Sequence, residues 1–473
     1  MVCTPGGADG GNGMQGLRST SILFVLFLAL GGYAYFIESE RSPISEDTPA
    51  EQAFNIDSDA ITSLTVTSDN GDVTEVSRED TDANTWSVTA PFSANADGNA
   101  ASAIATSLAS LEISRVVEAE ATDLSLFGLT DPSFSVTFGS KNNTETLLIG
   151  DETPTGSDRY ANISGTTRVF LIASFLESTF NRSSFDLRDR SLLEFTGPDV
   201  TGLTIEQESS ALTLRFSKAD GAWHLLEPVR ARGDFGIVEG LSGRIGSAEM
   251  IAVEVESVDG DLEPFGLDNP RMAITVETDK ANHVLVMGNE SPAGTVYGRD
   301  ASRSIVFTVD AALFDEFDRD IDTYRKKELF DFQPFNANGI TVTRDGETYR
   351  FEKRSDNDDN SDNSNEQLWQ QVEPDQKAIE ALAFDDLLSK LSGLRAESFV
   401  NGRDNTGLDI PLAIFTVTYG NEQQETVTIG QSDDAYHGIH GEEDGAAVID
   451  STSINGVFES IDMVLGTSVD TEP

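Results

Sequence analysis

Short alternating runs dominate this chain. ITSLTVTS (Ile61–Ser68) sets apolar side chains at alternate positions, the period of a strand with one buried face. VTEVSRE and TWSVTAP follow in the same period, which predicts an antiparallel meander. Pro91 ends it, because proline cannot donate to a ladder. The period then changes. Within Ala100–Ile113, Ile104, Leu108 and Leu111 fall on one helix face. SRVVEAE returns as a strand, and SFSVTFG, TETLLIG, RYANIS and TRVFLIA are short enough for sheet strands. SFLESTF (Ser174–Phe180) reads as a short closing helix with Ser174 as its N-cap.

This order of elements comes three times. GLTIEQE, LTLRFSK and AWHLLEP open the second pass. Phe235, Val238, Leu241 and Ile245 give its helix face, EMIAVEVE its returning strand, and AALFDEF its closing helix. The third pass has GITVTRD, TYRFEKR and LWQQVEP, then a helix face of Ile379, Leu382, Leu387, Leu391 and Leu394. IFTVTYG, ETVTIG, AAVIDS and INGVFESI complete it. Two phrases mark the period. The three tryptophans stand in WSVTAP (Trp86–Pro91), WHLLEP (Trp223–Pro228) and WQQVEP (Trp369–Pro374). FGLTDP (Phe127–Pro132), FGLDNP (Phe265–Pro270) and TGLDIP (Thr406–Pro411) follow them. The Trp spacings are 223 − 86 = 137 and 369 − 223 = 146. The nine extra residues are nearly matched by the insertion SDNDDNSDNSNE (Ser355–Glu366). LRDRSLLEF (Leu187–Phe195) and YRKKELFDF (Tyr324–Phe332) join successive passes and read as short, ordered connectors. One folding unit is used three times, as α+β modules over 56–195, 196–332 and 333–465, each an antiparallel sheet with one long and one short helix.

Ahead of the modules lies TSILFVLFLALGGYAYFI (residues 20–37), which carries no charge. As a helix it reaches roughly 27 Å, enough to span the hydrocarbon of a bilayer. Tyr33, Tyr35 and Phe36 fit an interfacial belt. Arg18 before it, with Glu38 and Glu40 after it, keeps residues 1–19 cytoplasmic and the modules outside. A cleaved signal peptide, with Gly32-Tyr33-Ala34 as a weak cleavage site, is the rival reading. The length and the aromatics favour an anchor. Residues 38–55, with Pro43 and Pro49, read as a linker, and 466–473 as a disordered tail.

Charge changes the list of partners. Lys plus Arg is 31 and Asp plus Glu is 82, so the formal charge is 31 − 82 = −51. A surface this acidic repels nucleic acid and anionic headgroups. The acids are spread along the chain, which fits solubility better than a dedicated cation site. The one cysteine, Cys3, precedes the apolar run, so the modules hold no disulfide, thiolate nucleophile or Cys-based zinc site.

Candidate chemistry is thin. The recurrent Trp and Pro suit packing at a strand edge better than a sugar-stacking platform. His224 and His283 are single. His437-x-x-His440, with Glu442 and Glu443, has donors for a metal, but its spacing is loose and it reads as part of a Gly-rich loop. Asp356, Asp358 and Asn360 resemble a calcium loop that fails at Ser361 and Gln367, so a solvated hairpin tip is preferred. No GxGxxG, GKS/T, GxSxG, HExxH or SxxK occurs. The expectation is no catalytic residue, no cofactor and no metal site.

The phrases together resemble a known family. ILFVLFLALGGYAYF, the FGL-x-x-P turns, TLLIGDETPTGSDRYANI and LRDRSLLEF are similar to the bacterial domain-of-unknown-function family four-three-four-zero, over roughly residues 20–465. The third module departs at Thr406 and at AYHGIHG. The resemblance implies an inner-membrane-anchored envelope protein, often encoded beside gliding-motility-type ABC transporter genes. It supplies no functional residues. The expected function is a single-pass periplasmic scaffold or accessory protein contacting ABC transporter subunits. A glycan- or cation-binding repeat protein and an envelope hydrolase are the alternatives.

Overall fold

The computed structural model describes residues 51–78, 85–140, 143–195, 197–258, 260–353, 369–441 and 443–466. The expected anchor 20–37, the tail 1–19, the insertion Ser355–Glu366 and Glu442 lie outside the described residues. Among the described residues no helix is long and apolar enough to cross a membrane. The chain divides into two compact units, one ending at Arg188 and one beginning at Asp189. The first holds one nine-stranded antiparallel sheet and the second holds two more.

In the first unit the strands are β1 (Ile61–Thr67), β2 (Val73–Ser77), β3 (Ser87–Ala90), β4 (Ala94–Asn95), β5 (Arg115–Glu118), β6 (Phe134–Ser140), β7 (Asn143–Glu152), β8 (Asp158–Ile163) and β9 (Val169–Ala173). Their spatial order is β4-β3-β2-β1-β6-β7-β8-β9-β5. Two meanders meet at β1 and β6. The chain leaves the sheet at the β4 edge, and the helix Gly98–Ala109 carries it to the opposite edge as β5. Asp97 caps that helix, accepting from the amides of Asn99 and Ala100 at 3.0 Å. Ala101, Ile104, Ala105 and Leu108 face the core. The second unit repeats this strand order twice.

The three tryptophans share one environment. Trp86, Trp223 and Trp369 are at most 2% exposed. Each backbone carbonyl accepts from the residue ten positions on: Ala96 at 3.0 Å, Gly233 at 2.8 Å and Ile379 at 3.2 Å. Each strand then ends at a cis X-Pro bond, Ala90–Pro91, Glu227–Pro228 and Glu373–Pro374. The indole nitrogens differ: Trp86 donates to Ser102, Trp223 to Glu239, and that of Trp369 is buried without a partner.

The FGL phrases plug the other face of the sheet. In the first unit Phe127 and Leu129 pack with Ala121, Val169 and Tyr160 in a small second core. Gly128, Gly266 and Gly407 take φ of 68°, 66° and 73°, so glycine is required. Each turn lies against a sheet glycine. A Cβ on Gly150 or Gly288 would stand 2.2 Å from the carbonyl oxygen of Phe127 or Phe265.

Several expectations need correction. Phe235 and Leu382 are 52% and 76% exposed and do not belong to the buried helix faces. Phe384 and Leu388 are buried instead. Ser174 is not a cap; the short helix there has no side-chain cap bond, and the Ser174 hydroxyl is buried without a partner. In the third module the closing helix Ser451–Leu465, at 15 residues, is longer than the 12-residue helix Ala381–Ser392. The second module carries a further four-residue helix, Ile321–Tyr324. The end of the expected linker is structured: Phe54 is buried, and Ala53 donates to the Leu111 carbonyl.

Candidate functional site at the module joints

The two joints are built alike. The first half bonds backward, with Asp97 N to Leu187 O at 2.9 Å and Asp234 N to Tyr324 O at 2.8 Å. The second half bonds forward: Leu192 and Leu329 donate to the carbonyls of Ala248 and Leu394 at 3.2 and 3.0 Å. Leu192, Leu193, Leu329, Phe330 and Phe332 are buried. Between apolar neighbours each joint sets one acid, Glu194 or Asp331.

In the third module that acid lies close to one residue from each of two neighbouring strands, and in the second the equivalent residues line one cleft with it. In the second module the strands are Asn282–Glu290 and Val296–Asp300, and they bring His283 and Asp300. In the third they are Gln423–Ser432 and Ala435–His440, and they bring Glu425 and His440. Register makes these positions equivalent, since Asp300 pairs with Leu285 and His440 with Val427. Histidine and carboxylate have changed places. The first module has Glu145 and Ile163 at the same register. A cleft of about 390 Å³ opens beside Glu194, His283, Asp300 and Arg303. Beside Asp331 two clefts, about 480 and 470 Å³, share His224, Arg232 and Asp331.

The third-module cluster is a charge network in which Arg232 Nη1 and His440 Nε2 make ion-pair contacts but no hydrogen bond. Both Glu425 oxygens accept backbone amides, from Asp331 and Phe332, at 2.8 Å. His440 Nε2 stands 3.3 Å from Glu425 Oε2. Arg232 Nη1 lies 3.2 Å from Asp331 Oδ1, and Lys326 bonds the same oxygen. Burial pushes the Asp331 carboxyl up, but Arg232, Lys326 and His440 outweigh it and hold it below the usual carboxylate range. Donor atoms of Asp331, Glu425 and His440 fall within 4.8 Å of one another. A metal ion there would share the Asp331 carboxylate with Arg232 and Lys326 and the Glu425 carboxylate with two backbone amides. The two cations already on Asp331 repel a further positive charge, so the residues present fit an ion-pair network better than a metal centre.

His437 and His440 do not form a chelating pair. They lie on a strand rather than in a loop, three residues apart and so on opposite faces. His440 joins the cluster above. His437 pairs with Val448, the register at which Tyr160 meets Leu171 and Tyr297 meets Thr308. In the first two modules those tyrosines contact the phrase's phenylalanine, Phe127 at 5.0 Å and Phe265 at 5.1 Å. The third module has Thr406 and His437 there, both buried, with His437 Nδ1 unpartnered. His224 lines the clefts beside Arg232, and His283 packs on the Phe195 ring at 5.8 Å. Glu443 accepts from Arg232.

The family described as Domain of unknown function (DUF4340) matches residues 86–222 and 223–411. The chain belongs to this family. The two DUF4340 segments meet at Trp223, inside the strand Ala222–Glu227 of the second sheet; the first begins at Trp86, and the second passes Trp369 and ends at Pro411. A search of curated proteins finds no match. Among solved structures, a DNA polymerase sliding clamp from Pseudomonas aeruginosa with ligand aligns at 9% identity and TM-score 0.16, covering 85% of this chain and 94% of that one. A DnaN sliding clamp from Pseudomonas aeruginosa bound to griselimycin aligns at 7% identity and TM-score 0.13, with the same coverage. At these scores neither alignment carries an argument.

Proposed function

We propose that this chain is a non-enzymatic scaffold or accessory protein. In this reading residues 20–37 tether it to the inner membrane, and the modules stand in the periplasm beside an ABC-type transporter. The observation that supports it is what recurs. The buried Trp, the cis-proline strand end and the paired turn glycines appear in all three modules. The charged positions that could do chemistry change identity at fixed register, and at Asp331 they are bound up in ion pairs. An enzyme with three equal active sites would need its catalytic groups in every module.

Two observations weigh against the glycan-binding and hydrolase alternatives. A sugar platform needs an exposed indole, and all three are buried. A carboxylate-pair hydrolase needs one carboxyl raised to act as an acid, whereas Asp331 is lowered. The transporter association comes from the family resemblance. It is tested by cross-linking intact cells, solubilising the membranes and capturing the protein. Recovery of transporter subunits at near-stoichiometric yield is expected; their absence counts against the proposal.

A further inference from the structure

We propose that Arg232 is the pin of an ion-pair latch that makes the second and third modules move as one body. The inference is independent of the function proposed above. Arg232 lies on the two-residue edge strand Ala231–Arg232 of the second module, with a side chain only 14% exposed. Its backbone N and its Nε donate to Glu443 Oε1 at 3.1 and 2.8 Å. Nη2 donates to the carbonyls of Glu328 and Leu329 at 2.9 and 3.2 Å. Nη1 faces Asp331. One planar guanidinium thus ties the second module's sheet edge, the joint and the third module's hairpin tip. A lysine ammonium, a point donor, cannot span these directions.

Neighbouring contacts repeat the connection. Arg230 N and Nε donate to Asp444 Oδ2 at 3.2 and 3.1 Å, and Asp444 N donates to the Arg230 carbonyl at 2.7 Å. Phe399 N donates to Asp322 Oδ2 at 3.3 Å, and Arg325 lies over the Phe399 ring at 3.9 Å.

Comparison with the second module's own cleft shows what has changed. There the carbonyls of Ser191 and Leu192, equivalent to those of Glu328 and Leu329, are held by Arg303. Arg303 sits on that module's own hairpin tip and pairs with Asp300 at 3.0 Å. In the third module the tip position carries Glu443, and the arginine comes from the preceding module. The same carbonyls are satisfied, but the cation has moved across the joint and brought a cross-module ion pair with it. The residues corresponding to Arg230 and Arg232 in the first module are Ser93 and Asn95. Those corresponding to Glu443 and Asp444 in the second are Arg303 and Ser304. Neither set reproduces the opposite-charge pattern.

The test is a distance distribution by pulsed electron resonance on the full chain. Spin labels go on Ser247→Cys and Ser389→Cys, exposed on the helices Phe235–Ser247 and Ala381–Ser392, in a Cys3→Ser background. The native latch gives one narrow distance. Arg232→Ala is expected to broaden it, and Arg232→Lys to broaden it less. Near-UV circular dichroism confirms that each variant is folded. Glu443→Gln removes the cross-module ion pair with little change of shape, and it decides the matter if Arg232→Ala does not fold. Unchanged widths in the folded variants overturn the proposal.

Discussion

At the scale of single residues, the same tryptophan is held in three ways. Trp223 donates to Glu239, Trp86 to Ser102, and Trp369 relies on packing against Phe384 at 4.4 Å. Replacing Trp by Phe keeps most of the apolar volume and removes the N–H. Trp223→Phe should therefore cost about 1 kcal/mol more than Trp369→Phe, the worth of one hydrogen bond. Calorimetric melts of the two variants measure the difference, and equal losses would show that the Glu239 bond contributes nothing. Tyr324 gives a second residue-level reading. Burial pushes its phenol up to about 12, and the hydroxyl donates to the Phe317 carbonyl. A folded value above the unfolded one means that its contribution is complete below the ordinary tyrosine range. It is lost as pH rises toward 12. Tyr349 and Tyr419 are also raised, so tyrosinate absorbance should show several late-titrating phenols, of which Tyr324→Phe removes the last.

At the scale of elements, the alternation of ITSLTVTS and its copies is visible in the letters because one sheet face is buried and the other is not. The two-residue edge strands are too short to show a period. Phe235 and Leu382 misled because helical spacing cannot tell a buried position from an exposed one in the first turn. Glycines at 438 and 441 made Ala435–His440 look like a loop, whereas Gly438 is there because a Cβ would meet Leu329 and Ile449 at 2.6 and 2.7 Å. The joint cluster draws on separate segments, so no local motif announces it. Its one sequence signal was the exchange of histidine and acid between copies, which only the strand register reveals. Two outcomes follow at this scale. Gly288→Ala drives a Cβ into the Phe265 carbonyl and should cost about 1–3 kcal/mol. Gly240→Ala, in open space on a helix, should stabilise by about 0.5–1 kcal/mol. Chemical denaturation of the pair checks the contrast. Glu425→Ala strips the partner from two joint amides, one buried and one part-buried, so hydrogen exchange at Asp331 and Phe332 should accelerate. Unchanged exchange there would mean that the carboxylate does not hold the joint.

At the scale of the whole molecule, the folded modules begin earlier than their first long strand. Leu329, Phe330 and Phe332 belong to the third module's core, although they precede its first strand, Ala337–Arg344. A fragment from residue 324 to 466 should melt cooperatively, whereas one from 333 to 466 should not. Calorimetry on the two fragments decides it, and equal cooperativity would show that the joint is dispensable to the module ahead.

The joint also bears on how such a chain can lengthen. It starts by bonding to the body behind and finishes inside the body ahead. Any copied stretch one period long therefore brings one whole joint, wherever the genetic crossover falls. A break beside a tryptophan and a break between folded bodies yield the same products. Recombination need not respect structural borders for another copy to be absorbed in register.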